Sequence, residues 1–227
     1  MIATIFNRSV RDLFIPDMLK LFLICLFAYI AGAWTLVWIV GNFITSLAGA
    51  TGGQGFVLHW AVSIGGFAIV WFLFPLLYPI LLNFFDDKIF AVIEQQDYPQ
   101  IPPAKPPFWP TIAQDALFSL KAIGLNILFI PVYFIPLVNI CAYYGLNGYL
   151  LGKQFFRMAA GRRVKEAEAL RLQDSARTSI FLIGVSISFC STIPLINLVA
   201  PILGIATMLH LFHALTGTDK TQIFPPA

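Results

Sequence analysis

The chain has 227 residues, of which 59% are hydrophobic and only 11% charged, with mean hydropathy +0.82 and a net charge of +3. Soluble domains carry about a quarter of their residues charged, so this composition excludes an ordinary soluble domain and points to an all-α integral membrane protein of one domain, residues 1–227. So small a net charge also argues against a nucleic-acid partner.

Residues 1–17 open with MIATIFNRSVRDLF. Helical spacing puts Ile2, Ile5, Phe6, Val10, Leu13 and Phe14 on one face, with Asn7, Arg8, Arg11 and Asp12 on the other. The pattern predicts an interfacial amphipathic helix. Charges then vanish from residue 21 to residue 85, a run interrupted by the uncharged turn GATGGQG, Gly49 to Gly55. A spanning helix needs about 20 apolar residues, so two transmembrane helices are predicted, roughly 18–47 and 57–85. The first apolar run is too long for a cleavable signal and lacks a small-residue cleavage site. The second helix is expected to continue into the cytoplasm through FFDDKIFAVIEQQDYP, giving a transmembrane pair over 18–97. Residues 98–110 are proline-rich and read as a stiff connector.

Two further charge-free runs follow, 122–152 and 178–218. The first is too short for two crossings and a turn. A single crossing would put Arg162 and Arg163 on the side opposite Arg8, Arg11 and Lys20, against the preference for basic residues in the cytoplasm. A hairpin that enters the membrane and returns satisfies both constraints, over 111–160. Its wording FIPLVNI, Phe134 to Ile140, returns as TIPLINL, Thr192 to Leu198. The offset also matches Ala142 to Ala200, so a second re-entrant hairpin is predicted over 178–216. Pro136 and Pro194 mark the apices, because proline breaks a helix where the chain must reverse. Asn139 and Asn197 are candidates to cap the returning helices. Two such apices imply a shared, partly polar interior. Between the hairpins, 161–177 reads as a basic cytoplasmic helix with most of its charge on a solvated or headgroup-facing surface.

No catalytic constellation is visible, and neither an enzymatic role nor a cofactor is expected. Cys25, Cys141 and Cys190 lie far apart in apolar runs and read as buried, inert thiols. His210 and His213 stand three apart without a third ligand, so they read as interfacial histidines and no metal site is expected. His59 is alone. Ser186, Ser188, Ser191 and Thr192 enrich one limb of the second hairpin; they either line a pore, with Ser188 and Ser191 foremost, or bond back to helix carbonyls. Arg8 and Arg11 share one helical face beside the membrane. A guanidinium donates two parallel bonds to an oxyanion, and it also snorkels to lipid headgroups.

The stretch NGYLLGKQFFRMAAGRR followed by EAEALR, together with LLNFFDDKIF, EQQDYP and IPLINLVAPILG, resembles the CysZ sulfate permeases within the etoposide-induced 2.4 family. The resemblance covers nearly the whole chain in order and spacing. It implies two long transmembrane helices with two hemi-penetrating hairpins, a homo-oligomer in the bacterial inner membrane, and sulfate uptake for cysteine synthesis. It also implies an oxyanion site that takes in Ser9, Val10 and Arg11, where the family writes Gly-Leu-Arg-Leu; Arg8, on the same helical face as Arg11, is added as a candidate. Here the stretch is Ser9-Val10-Arg11-Asp12, and an aspartate beside a sulfate opposes it unless it turns away. A second family motif, Gly-Arg-Glu-Tyr-Phe, is altered to Gly152-Lys153-Gln154-Phe155-Phe156.

A passive sulfate permease is therefore the leading expectation: no GxxxxGK[ST] motif is present, and no Asp, Glu, Lys or Arg interrupts the apolar runs. The alternative is a non-transporting membrane scaffold whose basic 153–177 segment binds lipid or a partner.

Overall fold

A computed structural model describes residues 2–49, 52–83, 85–102 and 108–218, without the side chains of 68–83, 108–116 and 194–195. The described residues are helical and turn structure, with no strand. They form two compact units. One holds Leu19–Phe85; the other holds Met1–Met18 and Asp86–Ala227.

The first unit is built from α2 (Pro16–Leu47) and α3 (Gly52–Asn83). At about 1.5 Å per residue, 32 residues exceed the roughly 30 Å hydrocarbon core. Helix α2 is long and apolar enough to cross a membrane, and its apolar side chains point outward: Phe27, Trp34, Phe43 and Leu47 are all exposed. A core helix of a soluble protein would bury them. Gly49 and Gly52 adopt positive φ at either side of the short connection, which favours residues lacking a Cβ. Ala50 and Thr51, the middle of the expected turn, lie outside the described residues.

Helix α3 ends at Asn83, and α4 (Asp86–Asp97) starts with Asp86 and Asp87 in its first turn. Carboxylates favour the positive end of a helix dipole, so this pair supports a start there. Of the proline-rich connector, residues 103–107 lie outside the described residues, as do Asp219 and Lys220.

In the second unit α5 (Phe108–Tyr133) and α6 (Val138–Gly161) form one helical pair. After α7 (Glu166–Ser175), helices α8 (Arg177–Thr192), α9 (Pro194–Asn197) and α10 (Ala200–Leu215) form the other. At 16 residues each, α8 and α10 span about 24 Å. Helix α10 is the centre of the unit: residues 202–213 are all buried, against α6, α8, α4 and the N-terminal helix α1 (Ile2–Asp12). The equivalent residues Ala142 and Ala200 are both buried.

Pro136 and Pro194 do sit at the two reversals, but the neighbouring expectations need correction. The first reversal ends at Leu137, so Asn139 falls inside the opening turn of α6, which has no side-chain cap; Asn197 closes α9, and α10 begins uncapped after Val199. Nor do the apices call for a polar interior. The amides of Phe134, Ile135, Val138 and Asn139 find carbonyls within the reversal itself, as do those of Ile193, Asn197 and Val199, so local bonds replace the wet cavity otherwise needed. Phe134 and Leu137 point outward at 81% and 80% exposure.

Leu137 has φ 67° and ψ −41°, closed by a 2.8 Å bond from the Val138 amide to the Pro136 carbonyl. That is a γ-turn of the strained hand. Leu137→Gly is expected to raise stability by about 1 kcal/mol, read as a higher midpoint in thermal unfolding of the purified protein. An unchanged or lower midpoint would show that the turn carries no strain.

The expected burial of the thiols holds for Cys25; Cys141 is exposed, because α6 turns that position outward, and Cys190 is half-buried.

Candidate functional site

Three helices of the second unit each contribute residues spaced three apart, a spacing that puts side chains on one helical face. Helix α1 (Ile2–Asp12) supplies Arg8 and Arg11, α4 supplies Glu94 and Asp97, and α10 supplies His210 and His213. Their faces converge. Arg8 Nη2 donates to Asp97 Oδ2 at 3.2 Å, and Arg11 Nη2 donates to both oxygens of Asp97, at 3.3 and 3.2 Å. Two guanidiniums thus share one carboxylate.

Beneath them runs a buried chain of hydrogen bonds. His210 Nε2 lies 2.6 Å from Asp12 Oδ2, and Nδ1 lies 2.7 Å from the Tyr98 hydroxyl. An ionised carboxylate only accepts, so Nε2 carries a proton; with a neutral ring, the Tyr98 hydroxyl donates to Nδ1. The other Asp12 oxygen, Oδ1, is buried without a hydrogen-bond partner, 3.9 Å from Arg11 Nη2. The Tyr98 ring stacks on His213 with centroids 4.0 Å apart.

The third part is Glu94. Arg163, in the turn between α6 and α7, donates from Nε to Oε1 at 2.9 Å, and its Nη2 lies 2.6 Å from Oε2. His213 Nε2 is 3.7 Å from Oε1. Burial pushes the Glu94 carboxyl up, but His213 and Arg163 outweigh it and hold the group below the usual carboxylate range. Arg162 bonds Asp87 and lies over the Phe90 ring.

Several expectations change here. Asp12 is not on a solvated face: Ile5, Ser9 and Asp12 form the buried side of α1, whereas Phe14 is exposed. The bond to His210 makes burial of this acid tolerable. It also turns Asp12 away from the outer face of the arginines. His210 and His213 are interior, not interfacial, because α10 is central. Arg162 and Arg163 are largely withdrawn from solvent by their acidic partners. Of the proposed oxyanion residues, Arg8 and Arg11 meet; Ser9 is fully buried with its hydroxyl on the Ile5 carbonyl, and Val10 is half-buried.

The serine-rich limb mostly bonds back to its own helix. Ser186, Ser191 and Thr192 donate to the carbonyls of Leu182, Ile187 and Phe189; buried Ser188 has no hydrogen-bond partner. Pro136, Asn139, Pro194 and Asn197 remain at the reversals, on the α5–α6 and α8–α10 connections rather than in the three-helix cluster.

Asp12, Asp97 and His210 offer three ligand atoms within 4.8 Å of one another. A cation there would displace the proton between His210 and Asp12 and stand against two guanidiniums, while Arg8 and Arg11 already balance the two aspartates. The cluster therefore reads as an ion-pair network. The first unit has its own cavity, of about 780 Å³, lined by Trp34, Trp38, Phe56, His59 and Trp60 among others. Its Asn42 and Thr45 spend their donors on the carbonyls of Trp38 and Gly41. The residues that line it include no Asp, Glu, Lys or Arg.

The sequence marks Arg8, Arg11 and the histidine pair as candidate ligands, whereas Glu94, Asp97 and Tyr98 enter only within the EQQDYP motif and Arg163 only as a basic topology signal. A signal was present: the same three-residue spacing recurs in EQQD and HLFH, and the acidic 86–97 segment has the opposite sign to the N-terminal arginines.

The family model described as Sulfate transporter CysZ/Etoposide-induced protein 2.4 matches residues 5–201, a span holding Arg8, Arg11, Asp12, Glu94, Asp97, Tyr98 and Arg163. No curated protein and no solved structure matches the chain.

Proposed function

For a chain that belongs to the sulfate transporter CysZ/etoposide-induced protein 2.4 family, we propose that its role is passive sulfate permeation across the bacterial inner membrane, supplying cysteine synthesis, with no enzymatic step. The observation that carries this reading is the convergence of Arg8 and Arg11 on a single two-oxygen anion, Asp97. A sulfate edge presents the same pair of oxygens, and guanidinium forks match it with charge-assisted bonds. Arg8 and Arg11 are the donors in the proposed substrate stretch; Ser9 and Val10 set their spacing.

In this reading α2 and α3 cross the bilayer, and the α5–α6 and α8–α10 pairs enter from the cytoplasmic side and return. For the second pair the helix lengths support this: Arg177–Thr192 and Ala200–Leu215 are each shorter than the run that α2 offers. The charged segments lie in the cytoplasm, and the chain works as a homo-oligomer. Pro136 and Pro194 turn the hairpins, with Asn139 and Asn197 beside them; Ser188, buried and without a hydrogen-bond partner, is the better pore candidate of the serine pair. The scaffold reading has a smaller basic surface than the charge count suggests, since Arg162 and Arg163 are paired with Asp87 and Glu94, which leaves Lys165, Arg171 and Arg177 exposed.

Arg11→Ala is expected to cut radiolabelled sulfate uptake into proteoliposomes by at least about tenfold, the loss of one charge-assisted contact. Uptake that survives the substitution at wild-type rate would remove the arginine site.

A further inference from the structure

The reading of Arg8 and Arg11 as an oxyanion site leaves Asp97 to be explained, because its carboxylate stands where the ligand would go. Resting on that reading, we infer that Asp97 is a tethered competitor: it fills the guanidinium pair in the closed state, and an oxyanion binds by displacing it.

The geometry marks this ion pair as the exchangeable one. Its contacts are 3.2 and 3.3 Å, against 2.6 and 2.9 Å for Glu94 with Arg163. Charge-assisted N–H···O bonds favour about 2.7–2.9 Å. Access is one-sided: the Arg11 side chain is 62% exposed while that of Asp97 is 8% exposed. An arriving anion therefore meets Arg11 first. Asp97 is the last residue of α4, and the next residue, Tyr98, is fixed by burial and by its bond to His210. Displacement then requires a side-chain rotation and leaves the backbone in place.

Asp12 stays in place during the exchange: its Oδ2 is held by His210, and its Oδ1 lies 3.9 Å from Arg11 Nη2.

The test uses the full-length purified protein and measures sulfate binding by calorimetry for wild type, Asp97→Asn and Arg11→Ala. Asp97→Asn is expected to tighten sulfate binding about tenfold. Sulfate binding that is unchanged or weaker in Asp97→Asn, while Arg11→Ala still loses it, would overturn the competitor and leave the site standing. Binding untouched in Arg11→Ala would remove the site itself, and the competitor with it. If Asp97→Asn does not fold, the wild type answers alone. Sulfate-induced infrared difference spectra should show a carboxylate band leaving its guanidinium-paired frequency; a spectrum without that change would overturn the exchange.

Discussion

Gly184→Val is expected to abolish folding of the second unit. A Cβ at Gly184 would lie 2.0 Å from the Gly148 carbonyl oxygen and 2.8 Å from the Gly152 nitrogen. Its partners are equally closed: a Cβ on Gly152 would meet the Ile180 carbonyl oxygen at 2.5 Å, and one on Gly148 the Val185 amide nitrogen at 2.9 Å. Gly148 and Gly152 are spaced four apart on α6, the small-residue pattern by which helices approach at backbone distance. Ordinary overpacking costs about 1–3 kcal/mol, because side chains move aside. Here the obstacle is backbone, so the cost exceeds that range. Gly204→Ala gives the contrast, since its Cβ would press on the Phe155 ring, a side chain and not backbone. Size-exclusion profiles and thermal unfolding check the pair: Gly184→Val yields aggregate or no folded peak, and Gly204→Ala yields folded protein with a lower midpoint. A wild-type profile for Gly184→Val would contradict the close crossing of α6 and α8.

Arg163→Ala is expected to cost roughly 3–5 kcal/mol, the range for stripping the partner from a buried charge. Glu94 is 5% exposed, and Arg163 supplies both of its short contacts. The pH dependence has a definite sign. In the wild type Glu94 titrates below its ordinary value of 4.5, so its contribution to stability is complete above that value and is lost as pH falls through the lower folded one. In Arg163→Ala burial dominates and pushes Glu94 upward, with only His213 at 3.7 Å opposing it. The variant should therefore be weakest near neutral pH, and its deficit should shrink on mild acidification as Glu94 takes up a proton. Chemical unfolding of both proteins at pH 7 and in mild acid separates these cases. A deficit that is constant with pH would mean that Arg163 acts through packing and not through Glu94.

The helices were legible wherever charge disappears over a long run. The 21–85 and 178–218 runs read directly as α2, α3, α8 and α10 because lipid-facing and core-facing positions are both apolar and only the gaps between helices tolerate charge. The prolines at 136 and 194 marked the reversals for a backbone reason that needs no tertiary information. Asn139 and Asn197 failed as caps because capping depends on where the last non-helical residue falls, and Leu137 took that place through a γ-turn that no pattern announces. Asp12 and the two histidines were misplaced for a related reason. Their burial follows from α10 being enclosed by α1, α4, α6 and α8, and helical periodicity of one segment says nothing about its neighbours. The arginines were found as a pair, but their partner Asp97 lies 86 residues from Arg11, and only the shared three-residue spacing hinted at the meeting.

The most direct test of the transport claim is sulfate flux through the wild-type chain alone. Proteoliposomes holding the purified protein, with a sulfate gradient and no pH or sodium gradient, should take up radiolabelled sulfate faster than empty liposomes until the gradient is spent. Protein shown to be folded and inserted that admits no sulfate above the empty control would contradict passive permeation.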